Sequence, residues 1–520
     1  MYDILIKNGE IIDGSGNPSK KMDIAISNKK IVGLGYFKNE KAKKEINAET
    51  KLVVPGFIEV NTNSDHDLTL WHNRGENMLL QGVTTLIGGK SGVSLAPFIK
   101  PNLNCLNRFG KVDININWST LSEFFVFLRK QKLYLNFATL IGWGILRASL
   151  VNNEFRSLTE EELSKLLLVV KKSLEQGAFG VSFGLGYDVE QAVGIKEIKA
   201  VAEIVSKYQG ILSFSLRDYS DRLITSLEEA LTVLKYFKIP IQIELLKAEG
   251  KENEKLFQEA LDLIEKMNQD NLITFEIIPY ETELISLTDL LPDWVIVEGR
   301  EALLRYLNNN ETKEYLINEI KKKKYLYENL KIINSGNNWW FNNKNLKEIA
   351  NNFSLSIEET ILKLIKMTSE KIYAISKTQN IENIIMGVLN KNSFITSHSG
   401  LYDLNKTSSR RNWLHPKTCG TFSKFINEFI IKEKKISWEE GIRKLTGKVS
   451  DYLKLKNRGY LKEDYYADLL VINPLKLKDN AILDNPFQYS EGIELIVING
   501  KIVYERGIFE SESHGEIILK

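Results

Sequence analysis

Hydrophobic positions recur along this chain with two alternating periods. Short apolar runs that read as strands fall at 53–60, 83–88, 135–142, 178–184, 211–216, 240–246, 272–279 and 393–398. Amphipathic stretches with helical spacing lie between several of them. Ser157-Leu158-Thr159-Glu160 reads as a capping box that opens a helix to about Gln176. Ser356-Ile357-Glu358-Glu359 and Ser437-Trp438-Glu439-Glu440 open two more. Repeated strand–helix alternation predicts a parallel sheet. Eight such strands predict an α/β fold closed as a (β/α)8 barrel of the TIM type. The long gap before the last strand predicts an inserted helical segment at about 281–390.

The two ends follow a different pattern. Ile4-Leu5-Ile6-Lys7-Asn8-Gly9 and Asp23-Ile24-Ala25-Ile26-Ser27 alternate as strands do, with Asp13-Gly14 as a turn. Asp468-Leu469-Leu470-Val471-Ile472 and Glu494-Leu495-Ile496-Val497-Ile498 repeat the pattern, and Asn499-Gly500 marks a hairpin before Lys501-Ile502-Val503-Tyr504. Segments 1–54 and 455–520 are therefore expected to pack as one composite β-sandwich, with the barrel spanning 55–454.

Composition narrows the class. The chain has 520 residues, 43% hydrophobic and 26% charged, enough for a sizeable core and unlike a disordered or fibrous chain. A net charge of +2 gives no general attraction to nucleic acid or acidic membranes. The run Lys321-Lys322-Lys323-Lys324 reads as a solvated helix face. No stretch of 18 apolar residues exists, so no membrane span is expected. The start Met1-Tyr2-Asp3-Ile4 lacks the basic region of a signal peptide, and a cytoplasmic protein is expected. Cys105 and Cys419 cannot build a disulfide framework and read as free thiols. Only five histidines are present: His66, His72, His398, His415 and His514.

In such a barrel the chemistry sits at the C-terminal ends of the strands. Those ends read Pro55-Gly56-Phe57-Ile58-Glu59-Val60-Asn61-Thr62-Asn63-Ser64-Asp65, Gly89-Lys90-Ser91-Gly92, Gly142-Trp143, Gly184-Leu185-Gly186-Tyr187, Ser213-Phe214-Ser215-Leu216-Arg217-Asp218 and Glu244-Leu245-Leu246-Lys247. Further along come Pro279-Tyr280, Leu291-Pro292-Asp293-Trp294, His415-Pro416-Lys417 with Gly420-Thr421-Phe422, and Arg458-Gly459-Tyr460-Leu461-Lys462 before Ala467-Asp468-Leu469. In order and spacing these segments resemble the N-acyl-D-amino-acid deacylase (D-aminoacylase) branch of the amidohydrolase superfamily, over essentially the whole length. The resemblance implies a distorted TIM barrel with a β-sandwich made from both termini. It also implies hydrolysis of an N-acyl bond by a zinc-activated water.

The metal ligands that the resemblance implies are replaced here. The family's His-x-His falls on Asn61 and Asn63, its cysteine on Ser91, and two further histidines on Ser215 and Leu245. Its catalytic aspartate falls on His398, and another histidine on Trp143. Asparagine carbonyls and serine hydroxyls are poor zinc ligands, so no metal and no other cofactor is expected. Trp143 is expected to fill part of the old cavity. On the substrate side Tyr187 is kept, the arginine after His-Pro is Lys417, and one tyrosine of Tyr-Pro-Tyr is lost before Tyr280. Lysine neutralises a carboxylate as a point charge, without arginine's two-pronged fork.

Other residues invite plainer readings. Ser64-Asp65-His66-Asp67 could offer a replacement metal site, where the oxygens of Asn61, Asn63 and Asp65 would favour a hard ion, but the segment reads as a solvated loop. Ser91 beside Lys90 could be a nucleophile only with a base in reach. Glu244 is expected to point away from the neighbouring ligand position and to serve in a salt bridge. Arg217 and Asp218 read as stitching a loop at the mouth, and His415 as a structural hydrogen-bonding residue. Two function classes stay open. One is a metal-free pseudoenzyme that uses Asn61, Asn63, Ser91, Trp143, Tyr187, Ser215, Arg217, Leu245, Tyr280, His398 and Lys417 as a ligand pocket. Its partners would be a small polar or carboxylate-bearing molecule, a second copy, or an active relative. The other is an active C–N hydrolase with a non-standard site. The missing ligand set favours the first.

Overall fold

The computed structural model describes the chain except residues 63, 71–73, 100–115, 152–153, 155, 269, 271, 298, 337, 369–371 and 405–413. Asn63, His72 and Cys105 thus lie outside the described residues.

Among the described residues eight parallel strands line the barrel. They are β1 (Phe57–Glu59), β2 (Val83–Gly88), β3 (Asn136–Thr139, continued by Ile141–Gly142), β4 (Gly180–Gly184), β5 (Ile211–Ser215), β6 (Ile241–Ile243), β7 (Ile273–Ile277) and β8 (Ser393–Ile395). Hydrogen-bonded neighbours run β1-β2-β3 and, from the end of β3, β4-β5-β6-β7-β8. Leu140 separates the two halves of β3: the first pairs with β2 and the second with β4. At the seam between β8 and β1, Ser397 N donates to Glu59 at 2.8 Å, and the Thr396 and Ser397 hydroxyls donate to the same carboxylate.

Alternation sorts the strand side chains. Phe183 on β4 and Phe214 on β5 stack at 5.1 Å in the apolar layer under the helices. Ser182, Ser213, Gln242, Glu244 and Glu276 are also buried, but they hydrogen-bond one another or the loop after β2. The lumen end of this barrel is therefore polar and enclosed.

Three sequence expectations need correction. The run read as one strand at 53–60 divides at Gly56: Leu52–Pro55 pairs with Leu469–Ile472, and only Phe57–Glu59 enters the barrel. Glycine is required at the division, because a Cβ at Gly56 would lie 2.1 Å from Thr84 Oγ1. The capping box at 157–160 lies two residues later, with Thr159 and Glu162 exchanging hydrogen bonds at the head of helix Glu160–Glu175. The segment after β7 is not purely helical. It carries a three-stranded antiparallel sheet (Thr282–Ser286, Tyr373–Lys377, Lys331–Asn334) and an apolar core of its own.

The termini share one nine-stranded sheet, joined where Leu52–Pro55 meets Leu469–Ile472. Its long strand Tyr2–Ile11 pairs first with Ala42–Asn47 and then with Leu52–Pro55. Its register with Lys20–Ser27 shifts between Ile6 and Gly9, where Asn8 is left-handed. The sheet folds there over a core drawn from both ends, including Ile4, Ile24, Leu469 and Val497.

Candidate functional site

The site is built around the loop Gly89-Lys90-Ser91-Gly92 after β2. Gly89, Ser91 and Gly92 adopt φ of +68°, +52° and +74°, a left-handed course that glycine takes at little cost. Three side chains hold its amides. Asp65 accepts from Gly89 N at 3.1 Å, Glu244 from Ser91 N at 3.1 Å, and Ser182 Oγ from Gly92 N at 3.1 Å. The loop is thereby drawn into the barrel mouth.

This course delivers Lys90 to the lumen. Its ammonium donates to Ser213 Oγ at 2.7 Å and Gln242 Oε1 at 2.9 Å. It lies 3.2 Å from Glu276 Oε1 and 3.7 Å from Glu244 Oε1, all three side chains being fully enclosed. The carboxylates are satisfied from the other side. Ser91 Oγ and Ser213 Oγ donate to Glu244 at 2.7 and 2.6 Å. Gln242 Nε2 and Asn61 Nδ2 donate to Glu276 at 2.9 and 2.7 Å. Asn61 Oδ1 then takes the Nδ1–H of His398 at 3.1 Å. Burial pushes the Glu276 carboxyl up to about 8, against the pull of Lys90. Burial also raises Glu59, against its hydrogen bonds from Ser397 and Thr396.

A second charged group stands above it. Lys247 pairs with Glu249 at 2.6 Å and Glu283 at 2.7 Å. Burial works to raise Glu283, but Lys247 and Lys417 overcome it and hold this carboxyl at about 2. Burial lowers Lys417, whose ammonium makes no ion pair or hydrogen bond among the described residues. Burial, then Lys417, Lys247 and Lys90, press His398 down to about 3. His415 is also held at about 3 by burial and Lys417. Its Nδ1 accepts from Lys417 N at 3.0 Å and its Nε2 lies 3.0 Å from Thr282 Oγ1, so it is a structural imidazole. The Tyr280 ring stands edge-on to it at 5.1 Å, with a buried and unbonded hydroxyl.

Of the residues singled out from sequence, the structure brings together Asn61, Ser91 and His398 through the Lys90 cluster. Lys417 and Tyr280 gather in the layer above. Ser215 lies beside the Tyr219 hydroxyl, which donates to the Glu244 carbonyl at 2.7 Å. Leu245 stands on the bend after β6 with φ +50°. Tyr187 opens the short helix Asp188–Gln191 at the end of β4. Arg217 is spent on the rim: it grips Glu229 at 2.8 and 2.9 Å and the carbonyls of Gln191 and Val193.

Three site readings are corrected. Trp143 does not fill the lumen. Its ring lies 6.0 Å from that of Phe183 in the helix layer, and its Nε1 donates to Glu197 at 3.2 Å. Glu244 makes the expected ion pair but faces the same lumen as Ser91, because the chain bends immediately after it. Asp65 is buried rather than solvated, and burial lifts its carboxyl to about 7. It does not join its neighbours in one site: His66 lies by Asp67 at 3.5 Å, and Asp67 accepts from Leu401 N at 2.8 Å. The residues missed from sequence are Gln242 and Glu276. Their signal was a polar side chain at every second position of apolar strands, in Ile241-Gln242-Ile243-Glu244 and Thr274-Phe275-Glu276.

No family model matches the chain. Known proteins do. D-aminoacylase of Alcaligenes xylosoxydans xylosoxydans is 24% identical, over 100% of this chain and 98% of that protein. N-acyl-D-aspartate deacylase of the same organism is 25% identical, over 99% and 95%. Among solved structures, N-acyl-D-glutamate deacylase from Bordetella bronchiseptica, complexed with zinc and a phosphonate inhibitor, superposes with a TM-score of 0.82 at 21% identity, covering 100% of both chains. L-hydantoinase from Arthrobacter aurescens superposes with a TM-score of 0.56 at 12% identity.

Proposed function

We propose for this chain, which is similar to N-acyl-D-amino-acid deacylases over nearly its whole length, a metal-independent, non-hydrolytic role: holding a small carboxylate-bearing molecule at the barrel mouth. One observation carries the reading. The described side chains at the implied ligand positions are apolar or already engaged inside the protein. Asn61 gives its amide to Glu276 and its carbonyl to His398, Ser91 gives its hydroxyl to Glu244, and Leu245 has nothing to offer a metal. A zinc ion does not fit such a donor set, so no step is routed through one. Lys417 supplies the other half. It is a lysine with no bonded partner among the described residues, in the layer that holds Tyr280 and Glu283.

The test is calorimetric titration with N-acetyl-D-amino acids, with an assay for released amino acid run beside it. Binding without release is expected, with or without added zinc. Lys417→Met is expected to weaken that binding about tenfold, the worth of one charge-assisted hydrogen bond. Zinc-dependent release would overturn the reading. A second reading rests on the 2.7 Å hydrogen bond from Ser91 Oγ to Glu244, the geometry of a nucleophile beside a base. Metal-free release that Ser91→Ala abolishes would establish it instead.

A further inference from the structure

We propose that the Lys90 ammonium is a built-in cation that stands in for the charge of a divalent metal in this barrel, and that its seat between Glu244 and Glu276 keeps such a metal out. The inference rests on the metal-free reading above and goes further by naming the residue responsible.

The geometry supports it in three ways. First, the ammonium is saturated. It has three protons, and Ser213 Oγ, Gln242 Oε1 and Glu276 Oε1 lie at 2.7, 2.9 and 3.2 Å. An ammonium enclosed this way stays charged only because its donors are met and carboxylates lie beside it. Second, the network runs outward from Lys90 to the implied ligand positions. Glu244 takes both the amide and the hydroxyl of Ser91, and Glu276 takes Asn61, which in turn takes the His398 proton. The cation thus organises the side chains that a metal would organise by coordination. Third, the oxygens around it are hard donors: the Glu244 and Glu276 carboxylates, the Ser213 hydroxyl and the Gln242 carbonyl. That set suits Mn²⁺ or Mg²⁺. A dication among them would face the like charge of Lys90 in an enclosed site.

Removing Lys90 should therefore create a metal site. The full-length protein and Lys90→Ala are each exposed to excess Mn²⁺ or Zn²⁺ and desalted, and their metal is counted by mass spectrometry. The wild type is expected to retain below about a tenth of a metal per chain, and Lys90→Ala about one Mn²⁺ per chain. Lys90→Arg keeps the charge and should retain none. Lys90→Ala with Glu276→Gln loses a ligand and should retain none. If Lys90→Ala unfolds without metal, its refolding yield in Mn²⁺ is compared with that in chelator. Metal-dependent recovery supports the proposal, and equal recovery overturns it. A folded Lys90→Ala that stays metal-free overturns the role of Lys90 but leaves the metal-free reading standing. A wild type that keeps stoichiometric metal overturns both.

Discussion

Replacing Lys90 by methionine keeps most of the side-chain volume and removes only the charge, so it isolates the electrostatics of the lumen. Above the pH of about 8 to which burial raises Glu276, both carboxylates are ionised, and at 3.2 and 3.7 Å from them an ammonium gains roughly 5 and 4.5 kcal/mol of raw attraction at an effective dielectric constant of about 20. Most of that attraction is offset by the cost of bringing three charges out of water. Taking away one partner restores none of that cost to the others, and breaking a buried pair this way costs about 3–5 kcal/mol. Lys90→Met should fall in that range. Glu276→Gln should cost less, because Lys90 keeps Glu244 and the amide can still receive Asn61 Nδ2. The decisive quantity is the double variant. With the ammonium gone, the buried Glu276 must either stay protonated well above its ordinary range or stand charged without a partner, a cost the neutral amide removes, so the pair should cost less than the sum of the singles by about 2 kcal/mol or more. Guanidinium unfolding, followed by circular dichroism and tryptophan fluorescence at equal slope, measures all four corners of the cycle. Additivity within about 0.5 kcal/mol would refute the ion-pair account of the lumen.

Two further outcomes follow from the same packing. His398 and His415 are held near 3 in the folded protein against an ordinary 6.5, so below pH 6.5 the unfolded chain takes up protons that the folded one refuses. Stability present above that pH should fall as pH drops from 6.5 towards 3, by roughly 4 kcal/mol for His415 alone; His415→Asn should flatten the midpoint-against-pH curve in that window, and an unchanged curve would refute the assignment. Trp143→Phe should lose the hydrogen bond to Glu197, at a cost of about 1 kcal/mol. Because Trp143 lies outside the lumen, ligand affinity in calorimetry should not change, and a large change would return it to the pocket.

The barrel was legible because its apolar strands and capped helices carry their periods in the sequence. The division at Gly56 was not, because it depends on which strands pair in space, Leu52–Pro55 with one sheet and Phe57–Glu59 with the other. That Asn61, Ser91, Ser215 and Leu245 are not side chains zinc prefers is read from residue identity alone. What fills the space could not. Lys90, Gln242 and Glu276 come from three separate elements, and only closure of the barrel brings them within hydrogen-bonding range. Trp143 failed for a related reason. Helix Trp143–Val151 begins at that residue, and its first turn carries the side chain out towards Glu197.

The backbone at the implied ligand positions adds a physical argument for what the site has retained. Ser91, Leu245 and His398 adopt φ of +52°, +50° and +46°, a conformation that side chains other than Gly, Asn, Asp and His rarely take. Ser91 and Leu245 each depart from the favoured region at a cost of about 1 kcal/mol, and leucine can offset none of that by bonding its own backbone. Such strain persists only where the surroundings over-determine it. For Ser91 the surroundings are Glu244 on its amide and hydroxyl, with its neighbours Gly89 and Gly92 held by Asp65 and Ser182. For Leu245 they are the Tyr219 hydroxyl on the preceding carbonyl and the Leu246 amide bound to the Glu276 carbonyl. For His398 they are Thr396 Oγ1 on its amide and Asn61 on its ring. The strained turns are thus fixed by the same side chains that surround Lys90 or adjoin them.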